Sequence, residues 1–358
     1  MVHLDIVHAC NAILVETQPL VAVFVGGTSG IGECSVRALT ATHANRGKGL
    51  RLYIVGRNND AAEKIISDCL EVCPTGQFRF VRANDLSLLK DVDRVCAEIV
   101  QAEGEANTTG GIPRVDLLVM TQGYLSLESR KETKEGLDTV LSLVYYSRMR
   151  FVTQLLPLLL ASPLSGRVVS IFAPGREGKI FPDDLSLRDP THYGLATNAS
   201  HAVYMTTFFM ENLAARHAGR LSLAHVYPGL VMTKVAENGD LPRWARWMWR
   251  FLVAPVVWPL AVPTMECGER VLFLASPRFP ARPLNSTEET SKSASNFEIA
   301  ISSDGMVGGG AYRVTWNGEI IPTGKAYEKI REEGLSERVW NHTMKAFGEI
   351  EAGNFFTG

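Results

Sequence analysis

No sign of charge dominates this chain: 36 Lys+Arg against 38 Asp+Glu leave a net charge of -2 over 358 residues. The electrostatic basis for holding nucleic acid is therefore missing. A long uninterrupted apolar run is missing too. The greasiest stretch, Trp244 to Pro263, is broken by Arg246, Arg250, Pro255 and Pro259. Its longest uncharged part falls short of the roughly 20 residues that a plain spanning helix needs. It reads as an apolar lid over a substrate, with an interfacial membrane contact, Trp and Arg at headgroup level, as the alternative. The six cysteines lack the paired spacing of a zinc site and no metal is expected. They read as small buried hydrophobes in a reducing compartment. The first residues carry Asp5 and Glu16 within their apolar stretch and lack a basic start, so they do not resemble a signal peptide and the cytoplasm is the expected location.

What is present is an ordinary globular composition, 46% hydrophobic and 21% charged, on a chain long enough to bury a large core. From Leu20 onward, short β-branched runs alternate with amphipathic stretches. Residues 21–25, 51–55, 78–82, 116–120, 167–172 and 221–227 read as six strands, and 91–102 and 137–160 as helices between them. Mostly uncharged strands joined by crossover helices specify an α/β fold with a doubly wound parallel sheet, covered on both faces. The polar run Asn285 to Ser295 is expected to be a loop. It divides a Rossmann-type region, 1–280, from a C-terminal extension, 281–358, that packs on the core. In the extension a strand pair around Tyr312 to Ile321 and a helix from about Lys325 to Glu351 are expected.

Directly after the first strand comes Gly26-Gly27-Thr28-Ser29-Gly30-Ile31-Gly32, then a helical run. Glycines at such a turn let the backbone approach a pyrophosphate, and the helix N-terminus adds unpaired N–H donors and a favourable dipole. The Gly-x-x-x-Gly-Ile-Gly spacing resembles the short-chain dehydrogenase/reductase family over about 260 residues, Leu20 to near Pro280, although Val25 stands where that family commonly has Thr. The resemblance implies that Gly26, Ser29, Gly30, Ile31 and Gly32 hold a dinucleotide. Arg57, closing the second strand in Gly56-Arg57-Asn58, looks like the family's 2′-phosphate clamp and favours NADP over NAD. Asp85 is similar to the family's adenine-binding Asp. Gly123 ends the altered turn Met120-Thr121-Gln122-Gly123, and Val231 and Thr233, in the Pro228-Gly229 segment, correspond to neighbours of the nicotinamide carboxamide.

Family enzymes use a Tyr whose pKa is lowered by a Lys four residues later, with Ser and Asn in support. None of the nine tyrosines has Lys at that spacing. The register most like the retinol-dehydrogenase branch puts Ala199 and Val203 at the Tyr and Lys positions, Ala173 at the Ser and Tyr145 at the Asn. Tyr145, and Tyr193 on the approaching loop, are the candidate proton donors; without a nearby cation a phenol is a better acid than base at neutral pH, which favours reduction. The general look resembles divergent reductases of fungal secondary-metabolite pathways. It implies an NADPH-dependent reductase of an apolar small molecule. Two alternatives stay open: a non-redox cyclase or isomerase on the same fold, and a catalytically dead nucleotide-binding scaffold. Self-association through helices near 137–160 and 198–217 is also left open by the resemblance.

Overall fold

The computed structural model describes residues 1–44, 46–106, 111–124, 126–232, 247, 248, 254, 261–284 and 298–358. Among them seven parallel strands form one sheet in the order β3-β2-β1-β4-β5-β6-β7. These are β1 (Leu20–Val25), β2 (Leu50–Gly56), β3 (Gln77–Arg82), β4 (Leu117–Met120), β5 (Gly166–Ile171), β6 (Leu221–Val226) and β7 (Ala311–Val314). The order reverses direction between β1 and β4, which opens a crevice above their carboxyl ends. All six strands read from the sequence are present, and β1 and β4 are buried throughout. The edge strand β3 exposes Gln77, Arg79 and Arg82, as expected for a strand with only one neighbour.

Side-chain alternation along β1 divides the core. Val21, Val23 and Val25 point to one face, packing with residues of α4 (Leu89–Ala106), α6 (Ser147–Gln154) and α8 (Leu195–Arg216). Ala22 and Phe24 point to the other, with α1 (Leu4–Thr17), α2 (Gly30–His43), α3 (Asn59–Val72) and α9 (Thr264–Phe273). Each fully buried Val, Leu or Phe contributes about 1.5–3 kcal/mol, so this double-sided burial is the main term holding the sheet in place. All six cysteines are free thiols, five of them buried.

The stretch read as one helix over 137–160 is broken. It runs as α5 (Thr139–Leu141), a π segment (Ser142–Tyr146), α6 and, after Leu155, α7 (Leu156–Leu160), with Pro157 in the first turn of the last. A π turn inserts one residue and shifts the helical phase by roughly 100°. The expected strand pair near the C-terminus is reduced: 311–314 joins the sheet beside β6, and its return makes a single antiparallel bridge, Val314 to Ile320. The expected C-terminal helix is two, α10 (Lys325–Glu332) and α11 (Leu335–Glu351), divided at Gly334, whose φ of 74° is left-handed.

α11 lies along α8 and α4. Phe209 stacks on Trp340, Arg216 sits over the same indole, and Arg150 bonds Asp93 and Glu351. Part of the face on which pairing between copies was left open is therefore covered by this chain's own tail. Most of the Trp244 to Pro263 run, Thr233 and the Asn285 to Ser295 stretch lie outside the described residues. Among the described residues, no helix is long and apolar enough to cross a membrane.

Candidate functional site

The crevice at the switch point holds a cleft of about 490 Å³, lined by the β1–α2 turn, the ends of β2 and β3 and the turn after β4. Gly26 and Gly30 have φ of 83° and 57°, a left-handed conformation that glycine adopts without strain. A Cβ on Gly32 would collide with the Gly26 carbonyl oxygen, so only glycine lets the helix start this close to the strand. At the head of α2, Ser29 is extended and makes no side-chain capping bond. Among the described residues the first-turn N–H groups thus have no side-chain acceptor at a wall that Ser29, Gly30 and Ile31 form with Gly26. Uncapped donors with the positive end of a helix dipole suit an anion.

Arg57 and Asp85 line the same cleft, as does Gly123. Among the described residues no carboxylate pairs with Arg57, and it is exposed at the end of β2. Its neighbour Asn58 is spent on capping α3, accepting from the Ala61 N–H at 3.1 Å. The Asn84–Asp85 turn is built by Asp91, which accepts from both backbone N–H groups at 2.7 and 2.8 Å. Asp85 in turn accepts from the N–H and hydroxyl of Ser87. Gly32 stands behind the wall, and Val231, bridged to Val262, is not among the lining residues. The cleft therefore brings together Gly26, Ser29, Gly30, Ile31, Arg57, Asp85 and Gly123 of the residues named from sequence.

The two tyrosines fare differently. Tyr145 is fully buried and its hydroxyl meets the Thr343 hydroxyl of α11 at 2.5 Å. Burial holds its phenol well above the usual range. Tyr145, read from the sequence as a candidate proton donor, lies in the contact with α11, beside Tyr146, which bonds His342 of the same helix. Tyr193 stays half-buried and donates to Asp138 at 3.0 Å. Burial, then the Asp138 charge, lifts its phenol well above the usual range and keeps it protonated. Asp138 is itself buried and also accepts from the Asn198 amide at 2.9 Å and the Leu141 N–H at 2.8 Å. Neither Tyr145 nor Tyr193 lines the cleft, whereas Tyr124, next to Gly123, does. At the positions matched to the family's Tyr and Lys, Ala199 is half-buried and Val203 fully buried.

Sequence reasoning passed over Tyr124 and Arg148. Arg148 is 1% exposed, donating to the Gln122 carbonyl at 2.5 Å, the Ile171 carbonyl at 2.7 Å and the Ser170 hydroxyl at 2.9 Å. Burial lowers its pKa to about 9. An arginine inside an apolar helical stretch was a visible signal, but the strand ends it touches are remote in sequence.

No protein-family profile matches the chain. Whole-chain relatives do. The short-chain dehydrogenase/reductase SAT2 of Stachybotrys chartarum is 37% identical over 356 residues, covering 99% of each chain. An oxidoreductase of Emericella nidulans is 38% identical over 344 residues, 96% of this chain and 97% of that protein. The chain belongs to the short-chain dehydrogenase/reductase family. Among solved structures, NADPH-bound carbonyl reductase from chicken fatty liver matches with a TM-score of 0.53 at 16% identity, over 86% of this chain and all of that one. A single-residue variant of actinorhodin polyketide ketoreductase with NADPH matches at 0.50 and 19% identity, over 72% of this chain and 91% of that one. These two likenesses establish the doubly wound fold.

Proposed function

We propose that the protein is an NADPH-dependent reductase of an apolar small molecule in secondary metabolism. The observation that carries this reading is the cleft at the switch point, where uncapped N–H groups of α2 face the same space as an Arg57 guanidinium with no carboxylate partner among the described residues. A pyrophosphate suits the first and a 2′-phosphate the second. The named relatives, all whole-chain oxidoreductases of fungi, support the same reading. Bound there, such a coenzyme supplies a hydride and the protein supplies position and protons.

The chain's own residues define what remains. Ser29 to Ile31 anchor the diphosphate, Gly32 lets the helix start close behind them, and Asp85 and its turn flank the adenosine; Val231 is read as a neighbour of the carboxamide, as is Thr233, which lies outside the described residues. Tyr193, held by Asp138, is the candidate acid beside the cleft, and Tyr145 serves only the fold. A phenol kept protonated gives up a proton more readily to a developing alkoxide than it accepts one, consistent with reduction. We read the extension, 281–358, as a segment packed on the core, and the working compartment as the cytoplasm, where six free thiols persist. Self-association through α6 and α8 would have to accommodate α11.

Calorimetry with NADPH and NADH tests the reading: NADPH is expected to bind and NADH to bind far more weakly. If neither binds at millimolar concentration, the reductase assignment fails. With a pathway intermediate and 4-deuterated NADPH, deuterium in the product is expected; unlabelled product would mean a non-redox conversion.

A further inference from the structure

Arg148 poses a physical problem that the fold alone does not solve. Its guanidinium is sealed from solvent, yet every acceptor it reaches is neutral: two backbone carbonyls and a serine hydroxyl. Among the described residues no carboxylate pairs with it, and its Nε has no acceptor at all. Burying a charge on such terms is costly. The next group along the sheet adds no compensation. His225 on β6 stands opposite Ser170 on β5, fully buried, with both ring nitrogens unpartnered. Beyond it, Arg313 on β7 already has its own carboxylate, Glu177.

The site of this charge is informative. The carbonyls it holds are those of Gln122, in the turn after β4, and Ile171, the last residue of β5. Gly123 forms part of the cleft wall, and a Cβ placed on it would lie 3.7 Å from Nη2 of Arg148. Only a backbone layer separates the guanidinium from the cleft. A dinucleotide anchored at the head of α2, with one end toward Arg57 and Asp85 above β2 and β3, must send its other half over β4 and β5. That half carries the nicotinamide ring, neutral when reduced and cationic when oxidised.

We infer that Arg148 is a positioning residue that selects the oxidation state of the coenzyme: its buried cation beneath the ends of β4 and β5 disfavours the cationic ring, so the protein holds NADPH more tightly than NADP+. The inference rests on the dinucleotide reading and goes beyond it. Oxidised coenzyme leaves readily, and reduced coenzyme reloads the site in its presence. By Coulomb's law with an effective dielectric near 20, two unit charges up to about 10 Å apart interact strongly enough for a preference of roughly tenfold or more.

The test is equilibrium binding of NADPH and NADP+ by calorimetry, without substrate, to the intact protein and to Arg148→Lys and Arg148→Met. The native chain is expected to favour NADPH by roughly tenfold or more, Arg148→Lys to retain most of that ratio, and Arg148→Met to bring it near one. Equal binding of the two forms by the native chain overturns the inference, as does an undiminished ratio in a folded Arg148→Met. Should Arg148→Met not fold, the ratio in the native chain is measured at low and high salt. A buried charge is screened little, so the ratio should persist, and collapse to parity in salt would assign the effect to exposed charges and sink the proposal. Failure to bind either form would instead refute the dinucleotide reading itself.

Discussion

The two halves of the crevice are built on opposite plans. On the β1–β2–β3 side, polar groups are left open to the cleft: the head of α2 lacks a side-chain cap, and Arg57 is exposed without a carboxylate partner among the described residues. On the β4–β5–β6 side, polar groups turn inward. Tyr145 bonds Thr343, Tyr193 bonds Asp138, and Arg148 binds strand-end carbonyls. Unsatisfied donors at a surface await an anion, whereas satisfied ones hold a shape. The first half is a binding surface. The second holds its shape through buried contacts, Val203 among them, and keeps in Tyr193 the one group we read as an acid.

The sharpest way to break this contrast is Gly32→Val. The added carbon meets the Gly26 carbonyl, so the turn must open; coenzyme binding should fall by more than about 100-fold, about 3 kcal/mol, in a calorimetric titration. Unchanged affinity would show that the turn is not the anchor.

Acid is expected to act on the inward-facing half. Burial lowers His201 and His342 to about 4, and it also holds His225 well below the usual imidazole range. All three bind protons more readily in the unfolded chain, whose imidazoles titrate near 6.5. Their contribution is therefore complete above about pH 6.5 and is lost as pH falls from there through 4, on the order of several kcal/mol together. Phe181 N–H donates to Nε2 of His201, so protonation there also breaks a bond. Urea midpoints at pH 7.5 and 5 read the loss; equal midpoints would show that the imidazoles are not held neutral.

Arg57→Leu should weaken NADPH by about 2 kcal/mol, near 30-fold, and leave NADH almost untouched. Parallel weakening of both would remove the phosphate role. The smallest effect is expected from Tyr145→Phe. Losing its bond to Thr343 should cost about 1 kcal/mol of stability, with turnover unchanged, while Tyr193→Phe should lower turnover. A turnover defect in Tyr145→Phe at normal stability would restore the residue to the chemistry.

The cradle was legible because its signal is local. Gly26 to Gly32 are consecutive, they follow a β-branched run, and one short segment carries both the turn and the helix head. Arg57 was readable on the same ground, as the residue just after β2. The β4–β5–β6 side was harder to read because its partners are far apart in sequence: Tyr145 with Thr343, Tyr193 with Asp138, Arg148 with Gln122 and Ile171. The apolar pattern over 137–160 also carried no sign of the π segment at Ser142–Tyr146, which shifts the helical phase within that stretch.

By itself, then, the order of residues determined the parallel sheet, the glycine bend and the missing Tyr–Lys pair. Hydrophobic period and glycine geometry act over a few neighbouring residues and need no distant partner. Only the folded chain decided which phenol faces α11, where the unpaired guanidinium is sealed, and that 311–314 completes the sheet at its far edge. Those outcomes depend on which surfaces meet between segments remote in sequence, where packing overrides local preference.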